Sequence, residues 1–128
     1  MSVALNHTIV WCRDKQRSAH YLTEILGLDA PVAFGLFLVV ELGNGVSMDY
    51  HDGVGDDITS QHYAFLVSDD EFDAIHGRIV ERGQDHWQDP GCSAPGVNHH
   101  WGGRGTYFLD PDEHVLEIIT RPYGSAPR

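Results

Sequence analysis

Apolar and polar residues alternate over residues 5 to 12, LNHTIVWC, in a run whose β-branched and aromatic members suit a pleated strand. The period then lengthens. Asp14 can cap a helix running to about Leu26, with Leu22, Ile25 and Leu26 as its apolar stripe and Gly27 as its stop. Residues 34 to 42 and 46 to 51 read as two strands joined by Asn44-Gly45, a dipeptide suited to the positive φ angles of a tight hairpin. The first module is therefore strand, helix and at least two strands.

The same order returns in the second half. His62 to Val67 reads as a strand and Asp69 to Arg82 as a helix, with Phe72, Ile75, Ile79 and Val80 turned inward and Gly83 ending it. A short extended piece at His86 and Trp87 leads into a Gly- and Pro-rich loop, residues 89 to 105, too long for a plain connector and a candidate substrate lid. Tyr107 to Leu109 and His114 to Thr120 form a closing hairpin around Asp110-Pro111-Asp112-Glu113. The tail after Thr120, RPYGSAPR, is expected to fray.

Laid over one another, the halves place a histidine at the same point. His7 precedes Asp14 by seven residues and His62 precedes Asp69 by seven, 55 positions further on. Strand alternation puts His7 and His62 with Leu5, Ile9, Ala64 and Leu66, opposite Thr8, Val10, Tyr63, Phe65 and Val67. If helices cover the second set, both imidazoles face a cavity. Aligning the two hairpins by their turns matches Asp49 with Glu117, so the duplication supplies two histidines and two carboxylates at pseudo-equivalent places.

Neutral imidazole nitrogen and carboxylate oxygen suit iron, manganese, nickel, cobalt or zinc, and the absence of thiolate partners argues against a closed structural zinc site. His7, His62 and Glu117 are the expected metal ligands. Asp49 is a fourth candidate, short enough that it reaches an ion through water or not at all. Taken singly, each has a plainer reading: a strand histidine is commonly a hydrogen-bonded core residue, and a glutamate between Leu116 and Ile118 can end at a sheet rim. The matched spacing favours the metal. Glu117 and Asp49 are then the candidate catalytic carboxylates.

Around them, Ser47 and His51 share Asp49's strand face and are expected to line a pocket. In the long loop His99, His100, Trp101 and Arg104 offer imidazoles, an indole and a guanidinium to a substrate, and adjacent His99 and His100 cannot both face one ion from a regular element. Arg121, four residues past Glu117 on its strand face, could neutralise an anion or pair with a surface carboxylate. Trp11, Phe34, Phe37, Trp87, Trp101 and Tyr107 could form an aromatic groove, although aromatic stripes more often build cores. His20, His76, His86 and His114 read as surface or helix-face residues.

Composition narrows the partners. The chain has 128 residues, one domain's worth, and carries 19 acidic against 8 basic side chains for a net charge of −11, which repels nucleic acid and anionic membranes. Cys12 and Cys92 form no CxxC pair, and Cys12 beside Trp11 reads as packing rather than as a nucleophile. No signal peptide and no apolar run long enough for a bilayer is evident, so a cytoplasmic, reduced setting is expected. Dinucleotide-binding, Walker, nucleophile-elbow and zincin motifs are all absent.

At this point the sequence resembles the vicinal oxygen chelate superfamily, which groups glyoxalase I, extradiol dioxygenases, fosfomycin-resistance enzymes and bleomycin-resistance proteins. The matching segments are LNHTIVWCRDKQRSAHYLTEILGL, QHYAFLV with its following helix, and GGRGTYFLDPDEHVLEIITRPY. The resemblance implies an α+β fold of two paired βαβββ modules, about residues 3–52 and 58–122 of a single domain, forming a cup-shaped half-open barrel, usually in a homodimer. It implies metal ligands at His7, His62 and Glu117, with a fourth carboxylate in glyoxalase I-like members where Asp49 stands. In many relatives the two modules of one site come from different subunits. One departure is Glu113, where the family commonly has glycine in a DPDG turn.

The shared mechanism implied is chelation of vicinal substrate oxygens by a metal, in isomerase, lyase or dioxygenase chemistry. The alternative is a bleomycin-resistance-like protein that sequesters an aromatic molecule or antibiotic without turnover. A pure sequestering protein has no reason to keep His7, His62 and Glu117 in register, which favours a metal-dependent enzyme acting on a small oxygenated substrate.

Overall fold

In the computed structural model, which describes residues 2–125, the first alternating run becomes strand β1 (His7–Trp11). Asp14 then caps α1 (Lys15–Leu26), its carboxylate accepting from the Arg17 N–H at 3.2 Å, and Gly27 closes the helix at φ 72°. The helix buries Ser18, Ala19, Leu22, Thr23 and Ile25 and packs on β3 (Phe37–Glu41) and β4 (Ser47–His51). The small Ser18 and Ala19 widen the stripe expected from Leu22 and Ile25, while Leu26 is only half-buried.

The apolar run from Phe34 onward is not one strand. It splits into β2 (Val32–Phe34) and β3, antiparallel and reversed at Gly35, whose φ of 59° suits a tight turn. Asn44-Gly45 makes the turn into β4 as expected, with Gly45 at φ 80°. The resulting sheet has the order β1-β4-β3-β2, in which β1 and β4 run parallel and the other neighbours antiparallel.

The chain divides between Thr59 and Ser60 into two compact units, and the second repeats this plan. Its elements are β5 (His62–Leu66), α2 (Asp69–Glu81), a single 3-10 turn at His100–Gly102, β6 (Gly105–Leu109) and β7 (Val115–Ile119). The sheet order is β5-β7-β6, and Trp87 adds isolated bridges to Tyr107 and Pro95 where β2 lies in the first unit. Ser68, one residue ahead of the expected start, caps α2. It forms a reciprocal box with Glu71, whose carboxyl is held below its usual range by these Ser68 bonds. Phe72, Ile75 and Ile79 are buried at i, i+3 and i+7, but Val80, one step round the helix from Ile79, is 55% exposed rather than inward.

Corresponding registers join the two sheets' parallel pairs. His7 pairs with Ser47 and Ile9 with Asp49; His62 pairs with Val115 and Ala64 with Glu117. In each module the carboxylate therefore lies beside the residue two past the histidine, as the alignment of turns anticipated. Val10, Met48 and Tyr50 in the first sheet, and Phe108, Leu116 and Ile118 in the second, are buried.

Loops add order that the sequence did not announce. Asp110 Oδ1 accepts from the N–H groups of Asp112 and His114, and His114, expected at the surface, is fully buried. Its Nδ1 accepts from Gln61 N–H at 2.8 Å, joining the start of β5 to that of β7. The long loop is stitched rather than free. Asp89 accepts from Ser93 and Ala94, Asn98 exchanges both backbone bonds with Gly105, and Thr106 donates to the Gly96 carbonyl. The tail expected to fray is tied through Tyr123, and its last residues, Ala126 to Arg128, lie outside the described residues. Among the described residues, no helix is long and apolar enough to cross a membrane.

Glu113 adopts φ 65°, a left-handed conformation that costs a non-glycine residue roughly 1–2 kcal/mol. Glu113→Gly should therefore stabilise the protein by about 0.5–1 kcal/mol after the added unfolded-state entropy of glycine. Thermal melting checks this, with a rise of the midpoint expected.

Candidate metal centre

Each unit carries its own share of the donors. In the first, His7 stands at the exposed start of β1, and its Nδ1 lies 2.7 Å from Asn6 Oδ1. An amide oxygen only accepts, so Nδ1 carries a proton and, in the neutral ring, Nε2 presents a lone pair. Asp49, two residues past Ser47 on the same face of β4, accepts from the Ser47 hydroxyl at 2.8 Å through Oδ1. These groups share an open cavity of about 520 Å³ with Asn6 and Glu41. Its other wall is apolar, made by Ile9, Val32, Ala33, Phe34, Phe37 and Val39.

In the second unit, His62 Nδ1 lies 2.8 Å from the Val115 carbonyl, which again fixes a proton on Nδ1 and, in the neutral ring, leaves the lone pair on Nε2. That Nε2 faces Glu117 Oε1 at 3.3 Å. The separation exceeds the 2.7–2.9 Å or so of a charge-assisted hydrogen bond. It remains within reach of an ion pair if the imidazole is protonated, and it is also the spacing expected of two donors each about 2.0–2.2 Å from a common ion. Glu117 is 1% exposed, and Oε1 is buried without a hydrogen-bond partner. A buried carboxylate oxygen left in that condition costs free energy unless a cation meets it.

The other oxygen of Glu117 is occupied. Tyr123 donates to Oε2 at 2.7 Å, and the Tyr107 hydroxyl lies 2.8 Å from that of Tyr123. Burial raises both phenols above their usual range, reinforced at Tyr107 by its bond to Tyr123 and by Glu117, so both stay protonated donors. Tyr107, expected to line a substrate groove, is 5% exposed and stacks on His62 with ring centres 6.0 Å apart. Tyr123 was not foreseen, because an aromatic six residues beyond Glu117 in a Gly- and Pro-containing tail carries no periodic signal. His62, Glu117, Ala64, Leu66, Ile119, Pro122 and Tyr123 line a second cavity, of about 280 Å³.

These groups fit a divalent cation in donor type and in tautomer. Among the described residues, no three His, Cys, Asp or Glu side chains are gathered as a group that could hold an ion. His62 and Glu117 form a pair in one unit, and His7 and Asp49 lie in the other.

The remaining candidates have other surroundings. His51 accepts from Gly53 N–H and meets the rings of Trp11 and Phe37 edge-on at 5.2 Å each, an aromatic cluster at the end of β4. Arg104 is engaged by α2: Nη1 donates to Asp73 at 2.7 Å, Nη2 to Asp69, and the guanidinium lies 4.4 Å over the Phe72 ring. His99 and His100 are exposed, as is Trp101, whose ring stands 6.2 Å from Tyr123. The stem of Arg121, with Thr120, sits where a Cβ on Gly103 would fall, so glycine there lets the loop lie against the end of β7. His76 and His86, expected as surface or helix-face residues, approach one another at 3.2 Å through their Nε2 atoms. Cys12 is fully buried, in keeping with a packing role.

The family model described as Glyoxalase/Bleomycin resistance protein/Dioxygenase superfamily matches residues 4–118. The solved structure of Oxidase ChaP-H1 is similar at 58% identity and a TM-score of 0.93, over 97% of this chain and all of that one. Glutathione transferase FosA of Serratia marcescens is 30% identical over 125 residues, 92% of this chain and 81% of that protein. The fosfomycin resistance protein FosX from Mesorhizobium loti shares the fold at 21% identity and a TM-score of 0.69, over 96% of this chain and 95% of that one.

Because Arg104 holds the loop to α2, Arg104→Lys should release amide protection in residues 98–105 and lower the melting midpoint by a few degrees. Hydrogen exchange and calorimetry check this. Metal content should stay unchanged.

Proposed function

The chain belongs to the Glyoxalase/Bleomycin resistance protein/Dioxygenase superfamily, and from that premise we propose that it is a metal-dependent oxidase of small, uncharged, oxygen-bearing aromatic molecules. The observation that carries the reading is the approach of His62 Nε2 to Glu117 Oε1 at 3.3 Å, where the neutral imidazole's lone pair faces a buried oxygen that has no hydrogen-bond partner. His62, Glu117 and His7 are the proposed ligands, and Asp49, already bound to Ser47, is proposed to act through a neighbouring water or the substrate. Two histidines and one carboxylate leave positions open on a first-row metal, which when bound supplies Lewis acidity and a site for dioxygen. The name of the 58%-identical Oxidase ChaP-H1 supports oxidation over the isomerase or lyase alternatives.

The residues around the donors set the substrate class. Among the described residues neither cavity is lined by a lysine or arginine, and the first is edged by Glu41 and Asp49, so a phosphonate or a polyanionic thiol would be repelled. This argues against carrying over the glutathione transfer named for FosA. The apolar wall of Ile9, Phe34, Phe37 and Val39 suits a flat ring, and the neighbouring His7, Ser47 and Asp49 suit its oxygen substituents. A sequestering protein could use the same wall, but it has no use for the His62–Glu117 pair.

His62→Ala and Glu117→Gln should each lower bound metal to well under half of the wild-type ratio in elemental analysis of protein purified without added metal. Unchanged stoichiometry would remove the donors from the reading. With polyhydroxylated aromatic candidates the wild type should consume oxygen in an electrode, whereas stoichiometric binding without uptake would favour sequestration.

As the family resemblance suggests, His7 is proposed to reach the His62–Glu117 pair from a second copy of the chain. Co-expression of His7→Ala with His62→Ala under two affinity tags should then restore about half of the metal in the mixed dimer, since one of two sites keeps all its ligands. No restoration would place the three ligands in a single chain.

A further inference from the structure

We propose that Tyr123 is a positioning residue that holds Glu117 to a one-oxygen contact with the metal and so keeps a coordination position open for substrate. The inference rests on the reading of His62 and Glu117 as metal donors. The two oxygens of Glu117 have opposite surroundings although the side chain is 1% exposed. Oε1 has no hydrogen-bond partner and faces His62, while Oε2 accepts from Tyr123 at 2.7 Å.

The direction of the phenol chain follows from counting protons. Tyr123 spends its single O–H on Glu117, so the 2.8 Å contact with Tyr107 requires Tyr107 to donate. The order is Tyr107 to Tyr123 to Glu117. Tyr107 is anchored by burial and by its stacking on His62, so the chain ends on a fixed ring. Tyr123 is the outer member, 59% exposed, on the turn after β7 with Pro122 beside it to restrict the backbone.

A carboxylate offers both oxygens to a cation when nothing else claims them. A phenol bound to Oε2 removes that choice. The pseudo-equivalent carboxylate behaves alike, for Asp49 has Oδ1 taken by the Ser47 hydroxyl at 2.8 Å. Without the Tyr123 hydroxyl, Oε2 would lose its 2.7 Å donor, and the freed oxygen would turn to the cation. It would then occupy a position that a chelating substrate needs.

The test uses full-length wild type, Tyr123→Phe and Tyr107→Phe, each loaded with Co²⁺ and compared by circular dichroism for the same fold. In Tyr123→Phe the visible Co²⁺ absorption should lose intensity as an extra donor enters. Affinity for acetohydroxamate, a probe chelating through two oxygens, should fall about 10-fold, the scale on which outer partners of metal ligands act. Tyr107→Phe keeps the Tyr123–Glu117 bond and should give a smaller change of the same sign. A wild-type spectrum and wild-type probe affinity in Tyr123→Phe would overturn the inference, even if its melting point fell. Should Tyr123→Phe fail to fold, a wild-type spectrum and probe affinity in Tyr107→Phe would overturn it instead. Failure of the wild-type protein to take up Co²⁺ would instead overturn the metal reading beneath it, and the two failures are thereby distinguishable.

Discussion

Parallel pairing between the first and last strands of each module is the constraint on which the rest of the molecule depends. In β1–β4 and in β5–β7 the register sets a carboxylate beside the residue two past a histidine, Asp49 beside Ile9 and Glu117 beside Ala64. Side chains two apart on a strand share a face, so the pairing turns imidazole and carboxylate to the same side of the sheet. A slip of one residue would send Glu117 to the face that carries Leu116 and Ile118. The turns guard against this. Asp110 closes the β6–β7 turn with its own carboxylate, and the Gln61–His114 bond ties the start of β5 to that of β7.

A second layer of control acts on protons. Both candidate histidines have Nδ1 committed to an oxygen acceptor, Asn6 Oδ1 in one module and the Val115 carbonyl in the other, which in the neutral rings leaves Nε2 as the donor of a lone pair. Both carboxylates have one oxygen taken by a hydroxyl, from Ser47 or from Tyr123. Different residues thus impose the same electronic state on each half. The duplication preserved the arrangement rather than the supporting side chains.

Charge and shape then select what such a site can meet. Under the proposed function, an acidic protein whose two cavities are lined by no lysine or arginine among the described residues would repel anions, and the apolar wall from β1, β2 and β3 would suit flat, neutral ligands. Arg104, the most obvious cation in the long loop, is spent on Asp69, Asp73 and the face of Phe72. The loop it anchors is held by backbone and side-chain bonds along its length.

Both helices, most of the strands and the two turns were legible because they rest on local chemistry: the cap at Asp14, glycines at 27 and 45, and alternation that any single strand displays; the reversal at Gly35 and the cap at Ser68 were not. The candidate ligands were legible because a repeat preserves spacing, and spacing is a property of one dimension. The sequence by itself determined these elements and the equivalence of His7 with His62 and of Asp49 with Glu117. Only the tertiary structure decided that His114 is buried, that Arg104 serves α2 and that Tyr123 folds back onto Glu117. Those outcomes depend on contacts between residues whose pairing leaves no period in the chain, since a hydrogen bond across a fold constrains distance in space and not separation along the sequence.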